Sequence, residues 1–210
     1  MKKSLFVFLG ICGVLTKLCG QNPVPVYEEP RHTPVFTDQY VRIIQAKIKN
    51  NDTSLYHIHA TPSAFVFVKP AHYENQVWGE KWTTPNYPKG YAWYSSFASG
   101  PSTHRVAAHA DDEIFAYDVE LLKSFSNDNK HWSPLTKDTI FIADKAAGYK
   151  ITLSSQNPEF EIQSRGPIVA ILLSGNGLEI KSNKNGTVQL NETAYAYLPH
   201  HQKHLMRYKG

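Results

Sequence analysis

The chain has 210 residues, with 22 Lys and Arg against 18 Asp and Glu, a formal net charge of +4. Three of those bases, Lys2, Lys3 and Lys17, fall in the first 20 residues, so residues 21–210 carry 19 bases against 18 acids, a net of +1. That near-neutral balance, with no clustered Lys/Arg stripe, argues against a nucleic-acid partner.

The N-terminus combines Lys2-Lys3, an apolar run over residues 5–15, and small residues near position 20. This predicts a secretory signal peptide of bacterial style over residues 1–20, cleaved after Gly20, and hence an exported protein. The apolar run is too short for a transmembrane span, which needs about 20 residues. A lipid anchor on Cys19 is the alternative, disfavoured by Thr16-Lys17-Leu18 before it. The chain's two cysteines, Cys12 and Cys19, both lie in this segment. An exported domain without disulfides must then be held by its core.

Residues 21–35 contain Pro23, Pro25, Pro30 and Pro34 and read as an extended arm rather than a packed element. From residue 36 onward the pattern is that of short strands. Residues 40–48 are rich in β-branched side chains and end in the turn Lys49-Asn50-Asn51-Asp52. Strands follow at 55–59 and 64–68, then at 91–94 after the turn Lys89-Gly90, at 104–106 after Gly100-Pro101, and at 114–122. Residues 123–147 begin with a polar stretch and read as a linker. A second series covers 148–153, 168–173, 178–180 and 194–198, punctuated by Ser174-Gly175-Asn176-Gly177 and Lys184-Asn185-Gly186. No stretch has sustained helical periodicity. Many short strands between Gly, Pro and Asn turns predict an all-β sandwich or barrel.

His57-Ile58-His59 is the most informative tripeptide. Successive side chains on a strand point to opposite faces, so both imidazoles share one face. Neutral imidazole is a ligand for several transition metals, so the pair is half of a candidate metal site.

These residues resemble the cupin superfamily. Its first motif, G-x5-H-x-H-x3,4-E-x6-G, is matched by residues 51–59 without the opening glycine. Its second, G-x5-P-x-G-x2-H-x3-N, is echoed from Gly90 to Val106, with His104 at the histidine position. The resemblance covers residues 36–122 and extends over 148–210 only in rhythm. It implies a jelly-roll barrel, with the second part a degenerate or incomplete cupin-like half. It also implies metal ligation by His57, His59 and His104, and a divalent ion such as Fe, Mn, Ni, Cu or Zn. Two departures matter: Ala64, beside Ser63, stands in the glutamate slot, and Ala108 replaces the asparagine. The implied activity is that of a metal-dependent, dioxygenase-like oxidoreductase on a small organic substrate. The alternative is a non-catalytic binding module for a small molecule or carbohydrate.

Further expectations are weaker. His200, His201 and His204 read as surface residues, and Asp111-Asp112-Glu113 as a solvated corner. Tyr91, Trp93, Tyr94 and Phe97 read as core or pocket wall. A strand missing from the second half is expected to come from the N-terminal arm or from a second copy of the chain in a homodimer.

Overall fold

The computed structural model describes residues 21–123, 138–164, 166–184 and 186–209. The segment expected as a signal peptide, both cysteines, His131 and most of the expected linker lie outside the described residues.

The first part of the chain forms ten strands: β1 (Val24–Pro25), β2 (His32–Thr37), β3 (Val41–Ile48), β4 (His57–His59), β5 (Ser63–Phe67), β6 (Ala71–Val77), β7 (Asn86–Tyr87), β8 (Ala92–Ser95), β9 (Ser102–Ala108) and β10 (Ile114–Leu121). They assemble into two five-stranded sheets, ordered β1-β4-β9-β6-β7 and β2-β3-β10-β5-β8. Side chains of both sheets meet in one core: Ala46, Ile48, Phe67, Ile114 and Ala116 pack against Tyr73, Val106 and Ala108. Two antiparallel sheets burying their facing sides in this way make a jelly roll.

The expectation of a free N-terminal arm is corrected by the structure. Val24 and Pro25 run parallel to His57 and Ile58, and β2 pairs antiparallel with β3. Prolines are tolerated here because both segments lie at the outer edges of their sheets. Between them a single 3-10 turn (Val26–Glu28) tucks Val26 into the interior, and Glu29 and His32 are buried beside it.

The second part forms β11 (Thr139–Ile142), β12 (Ala147–Tyr149), β13 (Glu159–Ser164), β14 (Ile168–Ile171), β15 (Leu178–Ser182), β16 (Gly186–Leu190), β17 (Tyr195–Leu198) and β18 (Gln202–Tyr208). β11 and β12 are a hairpin within the expected linker, and 151–153, expected as strand, is not one. The sheet β13-β18-β15-β16 and the pair β14-β17 enclose a separate core of Ile180, Leu190, Ala196, Leu198 and Met206. No helix among the described residues is long and apolar enough to cross a membrane.

The two parts are packed together through the back of β10. Its inward residues Ile114 and Ala116 join the barrel core. Its outward residues Phe115, Tyr117 and Val119 pack with Val169, Ile171, Leu173, Tyr195 and Tyr197 of the second part. The strand is therefore buried on both faces along almost its whole length, and apolar residues fill it except at Asp118 and Glu120. Polar contacts fix the register of the interface. Tyr117 Oη donates to Thr193 O (2.9 Å), Tyr195 Oη to Val35 O (2.9 Å) and Tyr197 Oη to Asp38 Oδ2 (2.5 Å).

Candidate metal centre

β4 holds the His-x-His pair as strand alternation dictates, with His57 and His59 buried and Ile58 turned the other way. The β4–β9 register sets His104 directly opposite His57. Ring centroids are 4.5 Å apart for His57–His104, 5.1 Å for His59–His104 and 5.0 Å for His57–His59. One ring nitrogen from each falls within 4.8 Å of the other two. The three histidines singled out in the sequence are thus brought to one point.

Two of the opposite ring nitrogens are hydrogen-bonded from behind. His57 Nδ1 donates to Leu55 O (2.9 Å), and His104 Nδ1 donates to Asn75 Oδ1 (2.6 Å). His59 Nδ1 lies 3.2 Å from Asp118 Oδ2, a carboxylate reaching across from the other sheet, without a hydrogen bond between them. With Nδ1 of His57 and His104 carrying the proton, their Nε2 atoms present lone pairs inward, the orientation that outer-shell partners give to metal-ligating histidines. His57 Nε2 is buried with no hydrogen-bond partner. Burial, reinforced by the neighbouring imidazoles, pushes His57 far below its ordinary range and His104 down to about 3. Both are therefore neutral at physiological pH, the form that binds metal. Three convergent imidazole nitrogens fit a divalent transition ion and suit Mg or Ca poorly.

These residues form the polar end of a cavity of about 260 Å³. Its walls are otherwise mostly apolar, with Ile48, Phe65, Phe67, Tyr73, Trp93, Phe97 and Val106. Of the four aromatics noted in the sequence, Trp93 and Phe97 line it. Tyr91 stacks on Tyr87, and Tyr94 faces Phe141.

The glutamate slot is empty of acid for a structural reason. Ala64 points outward into the interface cluster, while the inward positions of β5 are Ser63, Phe65 and Phe67. Acidic groups come from elsewhere, and sequence reasoning missed them. Asp118 lines the cavity, almost fully buried, and neither of its oxygens makes a hydrogen bond. Its signal was present: on β10 the alternation Ile114, Ala116, Asp118 puts it on the barrel side.

The second missed group is a buried dyad. Glu29 Oε2 accepts from His32 Nδ1 (2.6 Å), and the His32 ring stands 4.3 Å from that of His57. Burial alone would raise the Glu29 carboxyl. Donation from His32 and from the backbone N–H groups of Leu55 and Arg31 outweighs this and holds it below its ordinary range. The proline-rich frame around Glu29 hid this pair at the level of sequence.

The remaining histidines do other things. His204, expected at the surface, is fully buried, bonded to Ser182 Oγ (2.7 Å) and Pro199 O (3.2 Å) in the second core. His72 stacks on His109 and faces Asp112 at the exposed acidic corner.

No protein-family model matches the sequence, and no curated protein matches it. Protein Ylba from E. coli aligns with a TM-score of 0.55 at 9% identity, over 89% of this chain and 81% of that one. AerE from Microcystis aeruginosa aligns at 0.48 and 11%, over 87% and 92%. A cupin domain from Bordetella pertussis Tohama I aligns at 0.39 and 14%, over 43% of this chain and 90% of that domain. With its two facing five-stranded sheets and convergent histidines, the chain has the cupin-type jelly-roll fold.

Proposed function

We propose that the protein is an exported metal-dependent enzyme, of dioxygenase type, acting on a small and largely apolar organic substrate. The observation that carries this reading is the convergence of three imidazole nitrogens, two of them backed by separate acceptors, at the polar end of an apolar cavity. A divalent transition ion bound there supplies a Lewis-acid and redox centre with positions left open for ligands. His57, His59 and His104 would hold it. Leu55 O and Asn75 fix the orientations of the His57 and His104 rings. The aromatic walls exclude water and orient a flat substrate, and the free oxygens of Asp118 accept a hydrogen bond from a substrate hydroxyl.

Elemental analysis of the purified mature protein tests the site. Stoichiometric metal that disappears in His57→Ala and His104→Ala is expected, and metal that survives both substitutions would sink the assignment. Oxygen uptake across flavonoids, thiols and small acids then tests the chemistry. One observation favours a second reading, a non-catalytic small-molecule binding module: no carboxylate projects inward from β5. Absence of oxygen consumption with every metal would support it. Export is checked by intact mass, with Gln21 as the expected first residue.

A further inference from the structure

On the outer side of Phe97 lies an open groove of about 590 Å³. One wall is the indole of Trp78, half exposed to solvent. That ring is braced from behind. Tyr56 meets it edge-on at 4.7 Å, and Tyr56 is itself held by its Oη bond to Gln76 Oε1 (2.6 Å) and by Arg105 over its ring. Ser95, Ser99, Ser102 and Thr103 also line the groove, and their hydroxyls make no side-chain hydrogen bond within the described residues; Thr103 lies beside Trp78, its carbonyl accepting from Trp78 N (2.9 Å), and Ser95 and Ser102 sit at the boundary with the inner cavity. Among the described residues no charged side chain lines the groove.

The groove and the three-histidine cavity are neighbours through one side chain. Ser95, Phe97 and Ser102 line both spaces. The Phe97 ring stacks on His59 at 5.9 Å and 11°, and its backbone has φ of +50°. A bulky side chain in the left-handed region is uncommon and is held there by its surroundings.

Each feature narrows the occupant. A fixed, exposed indole face suits the C–H face of a sugar ring, and unpaired hydroxyls at hydrogen-bonding positions suit its OH groups. An anionic ligand would find no cation, and a purely apolar one would leave the hydroxyls unpaired. We infer that the groove binds an uncharged glycosyl unit of a substrate whose other end passes Phe97 toward His59 and His104. The second half of that statement rests on the cavity being the reaction centre.

Calorimetric titration of the metal-free mature protein tests it, using p-nitrophenyl β-glucoside, p-nitrophenyl β-glucuronide and p-nitrophenol. The glucoside is expected to bind roughly tenfold more tightly than either other probe, and Trp78→Ala to lose about that factor with its thermal midpoint unchanged. Equal binding of nitrophenol would make the groove a general apolar slot. Equal or tighter binding of the glucuronide would show recognition of charge. A glucoside affinity indifferent to Trp78→Ala would overturn the assignment outright. If wild-type protein also fails to bind Zn(II) while glucoside binding still depends on Trp78, the metal reading falls and the glycosyl subsite stands.

Discussion

The Nε2 atoms of His59 and His104 stand 3.1 Å apart, with His104 Nδ1 donating to Asn75 Oδ1 behind it. That hydrogen bond leaves a lone pair on His104 Nε2. If His59 Nδ1 faces Asp118 with its proton, a second lone pair meets the first at that distance. Two such lone pairs repel unless a proton or a cation lies between them. A divalent ion would relieve that repulsion, and because His57 and His104 are already neutral its binding should release no proton from either ring. Titration in two buffers of different ionisation enthalpy reads this directly. Replacing Asn75 with Leu removes the outer acceptor and should weaken metal affinity by roughly 10–100-fold.

The buried histidines fix a pH dependence for the metal-free protein. His104 protonates in the fold only near pH 3, and His57 is displaced in the same direction. In the unfolded chain each takes up a proton as pH falls through about 6.5. Between those values the unfolded state binds more protons, so stability rises with pH and falls on acidification. Each histidine contributes at most about 1.4 kcal/mol per pH unit. Glu120 works in the opposite sense, since burial and Asp118 raise its carboxyl against the pull of Arg42. Urea midpoints at pH 7.5, 6 and 5 should decline in that order, and a flat series would contradict the neutral-histidine assignment.

Glu29 is held by four donors and is sealed from solvent. Glu29→Gln keeps the shape but forces an amide donor against N–H groups. The expected loss is about 2–3 kcal/mol, the scale of a buried polar group left unsatisfied. Metal affinity should fall as well, because His32 then no longer holds its place against His57. Chemical denaturation and a metal titration on the same variant separate the two effects.

The interface between the two parts has its own tests. Burial pushes Asp38 up, but donation from Tyr197 Oη and from the N–H groups of Val41 and Tyr40 outweighs it and holds the carboxyl low. Tyr197→Phe should cost about 1–3 kcal/mol, as hydrogen bonds to charged groups do. The tyrosine's contribution should fade as pH falls through the range where Asp38 protonates.

Gly90 supplies a second probe. Its φ is +81°, and a Cβ there would stand 2.9 Å from Leu173 of the second part. Gly90→Ala should destabilise by about 1–3 kcal/mol through strain and overpacking. Gly90→Ala combined with Leu173→Ala should recover the packing part of that loss, readable in thermal midpoints.

Much of the barrel was legible because period-2 alternation survives wherever a strand has two different faces. Val41 to Ile48 and His57 to His59 declare themselves in this way. β6 and β7 escaped notice, because Ala71–Val77 reads His72, Glu74 and Gln76 as strongly as its apolar positions. β13 and β18 were missed for a similar reason: their charged partners Glu159, Glu161, Lys203 and Arg207 pair across an exposed face. His204 shows the converse error, a polar residue at a chain end that the second core encloses and satisfies.

By itself the sequence determined the all-β class and the shared face of His57 and His59, while the resemblance to the second cupin motif supplied His104 as their partner. Local alternation suffices for the first two, since it is a property of neighbouring residues along one strand. Only the tertiary structure decided what surrounds them. It brought Asp118 from the opposite sheet, Asn75 from an adjacent strand, and Glu29 and His32 from a proline-rich segment with no periodic signal. Those groups set the tautomers and the charge of the site. They do so through contacts between residues 25 to 59 positions apart, which no local pattern encodes.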